Sequence, residues 1–153
     1  MLIINNEDDV FHLIYKIIRK YLCKSYEYFT SSRIMSVINF TDKLNKFSDH
    51  WSPKVIAEMN DYQFKLVKIK GDFVWHNHEH TDEAFIVLEG EMAIQFEDRT
   101  VTLNEGEMYV VKKGIQHKPY AENECNIMII EPNGVINTGN IEGNLTASND
   151  VWI

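Results

Sequence analysis

Apolar and polar residues follow two different periods along this chain. Between residues 10 and 22 the apolar positions recur at spacings of three and four. They are Val10, Phe11, Ile14, Ile17, Ile18, Tyr21 and Leu22. This period is typical of an amphipathic α-helix, and the acids at 7–9 fall in its first turn. We therefore predict a helical extension over residues 1–34 that lies against this domain or against a partner subunit.

From Trp51 onward the helical period gives way to short alternating runs that are separated by turn residues. Eight runs have the pattern of strands: 54–58, 62–70, 73–78, 83–89, 92–97, 100–103, 107–111 and 125–131. Short strands at close intervals predict an all-β antiparallel barrel or jelly roll. The tail after Pro132 is rich in Asn and Gly, so we expect it to be irregular, with residues 151–153 tied back onto the fold.

The length of 153 residues is enough for one packed domain and too short for two. We divide the chain into the N-terminal extension, residues 1–34, and a single domain over 35–153. The barrel core of that domain is expected at about 51–132. Met35 is an alternative natural start, in which case the first 34 residues would be an extension without a function.

The charge balance limits the classes of partner. With 23 acidic and 15 basic residues the formal net charge is −8, which repels a nucleic-acid backbone and an anionic membrane surface. The run 10–22 is also too short and too charged to span a bilayer, and it matches no targeting peptide. The two cysteines, Cys23 and Cys125, form no disulfide framework. We therefore expect a cytoplasmic protein that binds neither nucleic acid nor membrane.

The stretch "HNHEHTDE", residues 76–83, carries the candidate chemistry. On a strand, His76 and His78 project from one face at ~6.6 Å along the chain, so their imidazoles can converge on one ion. Glu83 begins the next predicted strand after a short turn. Two histidines and a carboxylate suit divalent manganese, iron, nickel, copper or zinc. His117, which follows a glycine-containing turn, is a candidate fourth ligand.

These residues resemble the two motifs of the cupin superfamily. The first motif is matched by Gly71, His76, His78, Glu83 and Gly90. The second is matched by Gly106, Gly114 and His117, with Lys112 where the family has proline and Ala121 where it has asparagine. The resemblance covers roughly residues 51–132. It implies a small single-domain cupin of the cupin-2 type, a double-stranded β-helix whose metal ligands are His76, His78, Glu83 and His117.

The resemblance also implies a range of functions, since cupins include isomerases, lyases, oxygenases and binding proteins. We expect one divalent transition metal and a metal-dependent enzyme that acts on a small polar metabolite, such as a sugar or a hydroxy- or keto-acid. His80 and Glu83 are the candidate proton carriers. For His80 a solvated position in the turn is the simpler interpretation. The alternative function is a non-enzymatic cupin that binds or senses a small ligand.

Strand parity predicts a covered outer surface. If His76 and His78 point into the barrel, Phe73 and Trp75 point out of it. In the run 83–89 both faces are apolar, and strands of this kind require a layer on each side. A homodimer, or the N-terminal helix folded over the sheet, would supply the missing layer, and we expect a homodimer.

Overall fold

The computed structural model describes residues 37–141 and 143–153. The predicted helix at 10–22, and with it the extension over 1–34, lies outside these residues. The described helix, α1, is Phe40–Leu44, and the side chain of Asn39 caps it by accepting a hydrogen bond from the backbone N–H of Asp42 at 3.1 Å. Within the described ranges no helix is long and apolar enough to cross a membrane.

The described domain is built on a seven-stranded antiparallel sheet. Its strands are β1 (Lys54–Met59), β2 (Tyr62–Asp72), β3 (Glu83–Glu89), β4 (Glu91–Gln95), β5 (Thr100–Asn104), β6 (Met108–Val111) and β7 (Lys118–Pro132). Five of them lie in the order β1-β2-β7-β3-β6, while β4 pairs with both β5 and β7. The prediction of an all-β antiparallel fold is confirmed.

Strand β7 holds this arrangement together. It is 15 residues long and pairs with β2, β3 and β4. The sequence pattern predicted only its second half, 125–131. The first half was missed because Glu122, Asn123 and Glu124 are consecutive exposed polar residues that interrupt the alternation.

The segment Phe73–His78 is not the regular strand that the sequence predicted. The β2–β7 register shifts between Ile69 and Gly71, where Gly71 has a φ of +74°, and the regular ladder ends at the pair of Asp72 with Tyr120, before Phe73. This irregularity breaks the expected parity. Phe73 is buried in the core and stacks on Trp51 with ring centroids 4.7 Å apart. Trp75 points outward, as predicted, and is exposed within the described residues.

Apolar side chains pack on both faces of the sheet. Phe85 and Val87 of β3 belong to the inner cluster, which fills the barrel. Ile86 and Leu88 of the same strand lie in an outer cluster. The outer cluster contains Leu44 of α1 and is bordered by the C-terminal residue Ile153, so the chain itself supplies part of the cover that the two-faced pattern requires.

The C-terminal tail returns to the sheet as predicted. The backbone N–H of Val55 donates to Val151 at 2.7 Å, and that of Ile153 donates to Val55 at 3.2 Å. Earlier in the tail, the side-chain amide of Asn137 donates to the carbonyl oxygens of Trp51 at 3.1 Å and Leu145 at 2.9 Å. The tail is therefore irregular but ordered by specific hydrogen bonds.

Candidate metal centre

The centre begins with a backbone pairing between two histidines. His76 and His117 form an isolated antiparallel bridge with N–H···O bonds of 3.0 and 2.9 Å. Directly opposed residues place their side chains on the same side of the ladder, and the two imidazole centroids are 4.2 Å apart. The turn before His117 is also fixed, because the N–H of Gly114 donates to the carbonyl oxygen of His78 at 2.8 Å.

Glu83 is the residue on which the histidines converge. It is buried at the first position of β3, on the inner face. Its Oε2 lies 3.3 Å from Nε2 of His117 and 3.5 Å from Nε2 of His78. None of these three buried atoms has a hydrogen-bond partner in the structure. Buried polar atoms are nearly always partnered, and such a set is what a metal ion would satisfy.

Ring orientation is set by backbone carbonyls. Nδ1 of His76 lies 3.1 Å from the carbonyl oxygen of Val74, and Nδ1 of His117 lies 3.0 Å from that of Ile115. A carbonyl oxygen only accepts, so in both rings Nδ1 is the donor and Nε2 keeps a lone pair. A histidine that binds a metal through Nε2 needs this tautomer. Its Nδ1–H then donates to a neighbouring group of the protein, which fixes the orientation of the ring.

Burial sets the protonation of these groups. Burial, with a smaller contribution from the neighbouring His117, lowers the pKa of His76 to about 4. Burial alone would raise the pKa of Glu83, but the imidazoles of His117 and His78 outweigh it and lower that pKa to about 2. Burial likewise lowers the pKa of His78, and Glu83 overcomes this to raise it. At neutral pH, His76 is an uncharged base and Glu83 a carboxylate, both forms in which metal ligands bind.

A second group of possible ligands shares Glu83. His76, Glu83 and His117 have ligand atoms within 4.8 Å of one another, and so do His78, Glu83 and Glu131. The centre thus contains the four predicted residues and one carboxylate that the sequence reasoning missed. Glu131 falls on the inward parity of β7, two residues after the buried Ile129, and this alternation was a signal that could have identified it.

Lys65 forms a buried ion pair with Glu131. Its Nζ lies 2.9 Å from Oε1 of Glu131, and both side chains are only 2% exposed. Burial, with a smaller contribution from the charge of Glu83, raises the pKa of Glu131 to about 7. Lys65 was missed because an isolated lysine in a strand is usually solvated and its partner lies 66 residues away.

A small cavity lies beside these side chains. Its volume is about 20 Å³, which is enough for about one water molecule. Its lining comprises His76, Glu83, Glu131 and Asn137 together with apolar residues that include Val67, Ile69, Phe85, Ile127 and Ile129. The wall of the cavity next to the candidate ligands is therefore mostly apolar.

A larger, open cleft of about 610 Å³ lies between the β4–β5 turn and β6. Phe96 lines it and also lies near the centre, since its ring centroid is 6.5 Å from that of His117. Arg99 covers the Phe96 ring at 4.7 Å and donates a hydrogen bond to the Tyr109 hydroxyl at 3.1 Å. Phe96 therefore lies both on the wall of the cleft and near His117.

His80 lies away from this cluster. Its side chain is 93% exposed, and its nearest ionic neighbour is Glu79 at 3.7 Å. The adjacent turn is fixed by Asp82, which accepts hydrogen bonds from Lys112 Nζ at 2.7 Å and from the backbone of Lys113 at 3.0 Å. The structure thus brings His76, His78, Glu83 and His117 together and leaves His80 in solvent.

Comparisons with known proteins agree with this geometry. The family model described as "Cupin domain" matches residues 65–131. A cupin-2 domain protein from Shewanella frigidimarina, of known crystal structure, is 66% identical, with 63% of this chain and 94% of that chain covered and a TM-score of 0.62. A Neisseria meningitidis protein of known structure is 39% identical, with coverages of 63% and 99% and a TM-score of 0.59.

A curated relative is similar to this chain over a shorter span. An uncharacterised protein of Bacillus subtilis is 41% identical over 64 residues. The match covers 41% of this chain and 57% of the relative, so the chain spans little more than half the length of the curated protein it matches.

Proposed function

This chain belongs to the cupin superfamily, and we propose that it is a metal-dependent enzyme acting on a small polar metabolite. In this proposal one divalent transition metal is held by His76, His78, Glu83 and His117. The observation that carries the proposal is the meeting of three buried ligand atoms, Nε2 of His78, Oε2 of Glu83 and Nε2 of His117, none of which has a hydrogen-bond partner. Leaving such atoms unsatisfied would cost about 1–3 kcal/mol each.

The metal would supply Lewis-acid chemistry or, if it is redox-active, oxygen chemistry, which fits reactions of the isomerase, lyase or oxygenase type. The residues of the chain have separate tasks. The Nδ1 hydrogen bonds of His76 and His117 hold the imidazoles in the ligating orientation. The apolar wall of the cavity limits water. Glu83 is assigned to the metal and is the proposed proton carrier inside the barrel, whereas His80 would reach only a substrate at the surface turn.

The proposal includes a sugar or a hydroxy- or keto-acid as the metabolite, a homodimer as the assembled form, and a cytoplasmic location. The homodimer is supported by Met108 and Val110, two exposed apolar side chains on the outer face of β6. The free thiol of Cys125 is in keeping with a reducing compartment.

One observation favours the alternative function, a cupin that binds or senses a ligand without catalysis. The interior cavity of about 20 Å³ leaves little space for a substrate beside the ligands. The two functions differ in the access of water to the metal. Relaxation of water protons in the manganese(II)-loaded protein measures this access: strong enhancement supports the enzyme, and no enhancement supports the binding protein.

Calorimetric titration of the metal-free protein tests the site itself. We expect manganese, iron, nickel or zinc to bind in a one-to-one ratio, and His117→Ala to weaken binding strongly, because one ligand is lost. His80→Ala is the matched control and should bind like the parent, since this histidine is solvated. Equal affinities in the parent and His117→Ala would contradict the assignment.

A further inference from the structure

The C-terminal tail covers one side of the candidate metal centre. The cavity beside the ligands has room for about one water molecule, and Asn137 of the tail forms part of its wall together with His76 and Glu83. The tail also lies close to a third ligand, because a Cβ atom at Gly139 would be 3.7 Å from Nδ1 of His78. An enzyme that acts on a metabolite at this centre therefore needs the tail to move.

The covering part of the tail is tied to the sheet at both of its ends. Strand β7 ends at Pro132, which is paired with Tyr62 of β2. Near the end of the chain, Trp152 forms an isolated bridge with Val55 of β1. We call the described residues between these ends, 133–141 and 143–150, the strap. The family model ends at residue 131, so the strap lies outside the part of the chain that the family model matches.

Asn137 holds the strap closed through its side-chain amide. The amide nitrogen donates to the carbonyl oxygen of Trp51 in the barrel at 3.1 Å and to that of Leu145 in the strap at 2.9 Å. The amide oxygen accepts from the backbone N–H of Ala147 at 3.0 Å. One polar side chain thus joins the two halves of the strap to each other and to the barrel.

The apolar contacts of the strap are few. Leu145 is partly buried and packs against the inner cluster, but Ile136 and Ile141 are 47% and 43% exposed. The described residues of the strap form no strand, whereas β7 is paired with three strands. Segments with little buried apolar surface and no ladder open at a lower free energy than core strands do. The strap is therefore able to lift while the barrel stays folded.

We propose that the strap is a lid over the metal centre. It lifts to admit the metabolite to the side of the ligands that Asn137 and Gly139 cover, and it closes again to keep water out during the reaction. This inference rests on the proposed function and adds to it the control of access to the site. It also explains how a centre whose interior cavity is about 20 Å³ can receive a molecule larger than water.

Labelling of the metal-free protein with diethyl pyrocarbonate, read by peptide mass spectrometry, tests the lid. This reagent modifies accessible imidazoles and is larger than water. We expect slow labelling of His78 in the parent and labelling about tenfold faster or more in Asn137→Ala, which loses three hydrogen bonds of the closed form. His80, 93% exposed, is the reference within each sample. Asn144→Ala, at an exposed position of the strap, is the matched control and should react like the parent.

A second variant and a second probe separate opening of the strap from unfolding of the barrel. Leu145→Ala removes the apolar contact of the strap and should also accelerate the labelling of His78. Cys125 is fully buried in the inner cluster, so its reaction with a thiol reagent reports opening of the barrel and should stay slow in both variants. Equal acceleration at Cys125 and His78 in both variants would overturn the lid, because the strap would not open by itself.

Two further results would also contradict the lid. Labelling of His78 at the rate of His80 in the parent would mean that the strap does not cover the centre, and equal rates at His78 in the parent and both variants would mean that the strap does not control access. Either result would leave the proposed metal centre intact. Failure of the parent to bind metal in the calorimetric titration would instead overturn the proposed function, and the lid would have no centre to control.

Discussion

At the scale of single residues, burial lowers the pKa of the histidine ligand His76, whereas burial alone would raise the pKa of the carboxylate ligand Glu83. His76 is kept neutral because the barrel interior disfavours its charged form. Glu83 stays ionised although it is buried, because two imidazoles face its Oε2. Neutral imidazole and ionised carboxylate are the forms that coordinate metals, so the interior prepares both groups for binding at neutral pH.

The depressed pKa of His76 has a consequence for the metal-free protein. Between its unfolded pKa near 6.5 and its folded pKa of about 4, the unfolded chain binds more protons at this residue than the folded chain does. The contribution of His76 to the stability of the fold should therefore fall as the pH is lowered through this range. Urea unfolding at pH 7 and pH 5 measures the loss, and His76→Gln should lose less than the parent.

His80→Gln is the control for that comparison, because His80 is solvated. It should lose as much stability between pH 7 and pH 5 as the parent does. If His76→Gln and the parent respond equally to pH, then His76 is not buried as a neutral side chain.

Residue types, spacing and the resemblance to the cupin motifs predicted His76, His78, Glu83 and His117 as metal ligands, and the fold brings these four side chains together. The same reasoning missed Lys65 and Glu131. Burial of a lysine depends on an acid that is distant in sequence, and only the folded pairing of β2 with β7 brings the two together. Single-residue chemistry is therefore easier to predict than a long-range ion pair.

At the scale of secondary-structure elements, the strands with clean alternation were the predictable ones. The predicted run 83–89 is strand β3 without change. The prediction of a strand over 73–78 was wrong, because β2 ends at Asp72 and His76 forms an isolated bridge with His117. The register shift between Ile69 and Gly71, just before this segment, leaves no period in the hydrophobic pattern.

The C-terminal tail gives a prediction at this scale. Gly139 has a φ of +58°, and a Cβ atom at this position would overlap the carbonyl oxygen of Asn77, next to His78. Gly139→Ala should therefore destabilise the protein by about 1–3 kcal/mol through backbone strain and displacement of the tail. Urea unfolding measures the change.

Gly143→Ala is the matched control, since a Cβ atom there meets nothing within 4 Å. It should change stability by no more than about 0.5 kcal/mol. Equal effects of the two substitutions would mean that the tail does not pack against Asn77.

At the scale of the whole molecule, the sequence predicted that the sheet would need cover on its outer face. The structure supplies part of it through α1 and the C-terminal residue Ile153. Strand β6 is different: within the described residues it pairs only with β3, and Met108 and Val110 on its outer face are 58% and 37% exposed. The sequence cannot say which surface covers an apolar face, because that depends on the arrangement of distant elements.

A homodimer that covers β6 predicts a measurable mass. Light scattering coupled to gel filtration should give twice the chain mass of 17.9 kDa for the parent. Met108→Lys/Val110→Lys should shift the mass toward that of the monomer, because charges at an apolar contact oppose association. Thr102→Lys, a change at an exposed position of β5, should remain dimeric. A monomeric parent would contradict the homodimer.

The central claim is that His76, His78, Glu83 and His117 hold a resident metal. The most direct measurement is elemental mass spectrometry of protein purified without a histidine tag, beside the variant His78→Ala/His117→Ala. We expect close to one transition-metal ion per chain in the parent and almost none in the variant. Negligible metal in both, even after incubation with iron, manganese, nickel or zinc, would contradict the account.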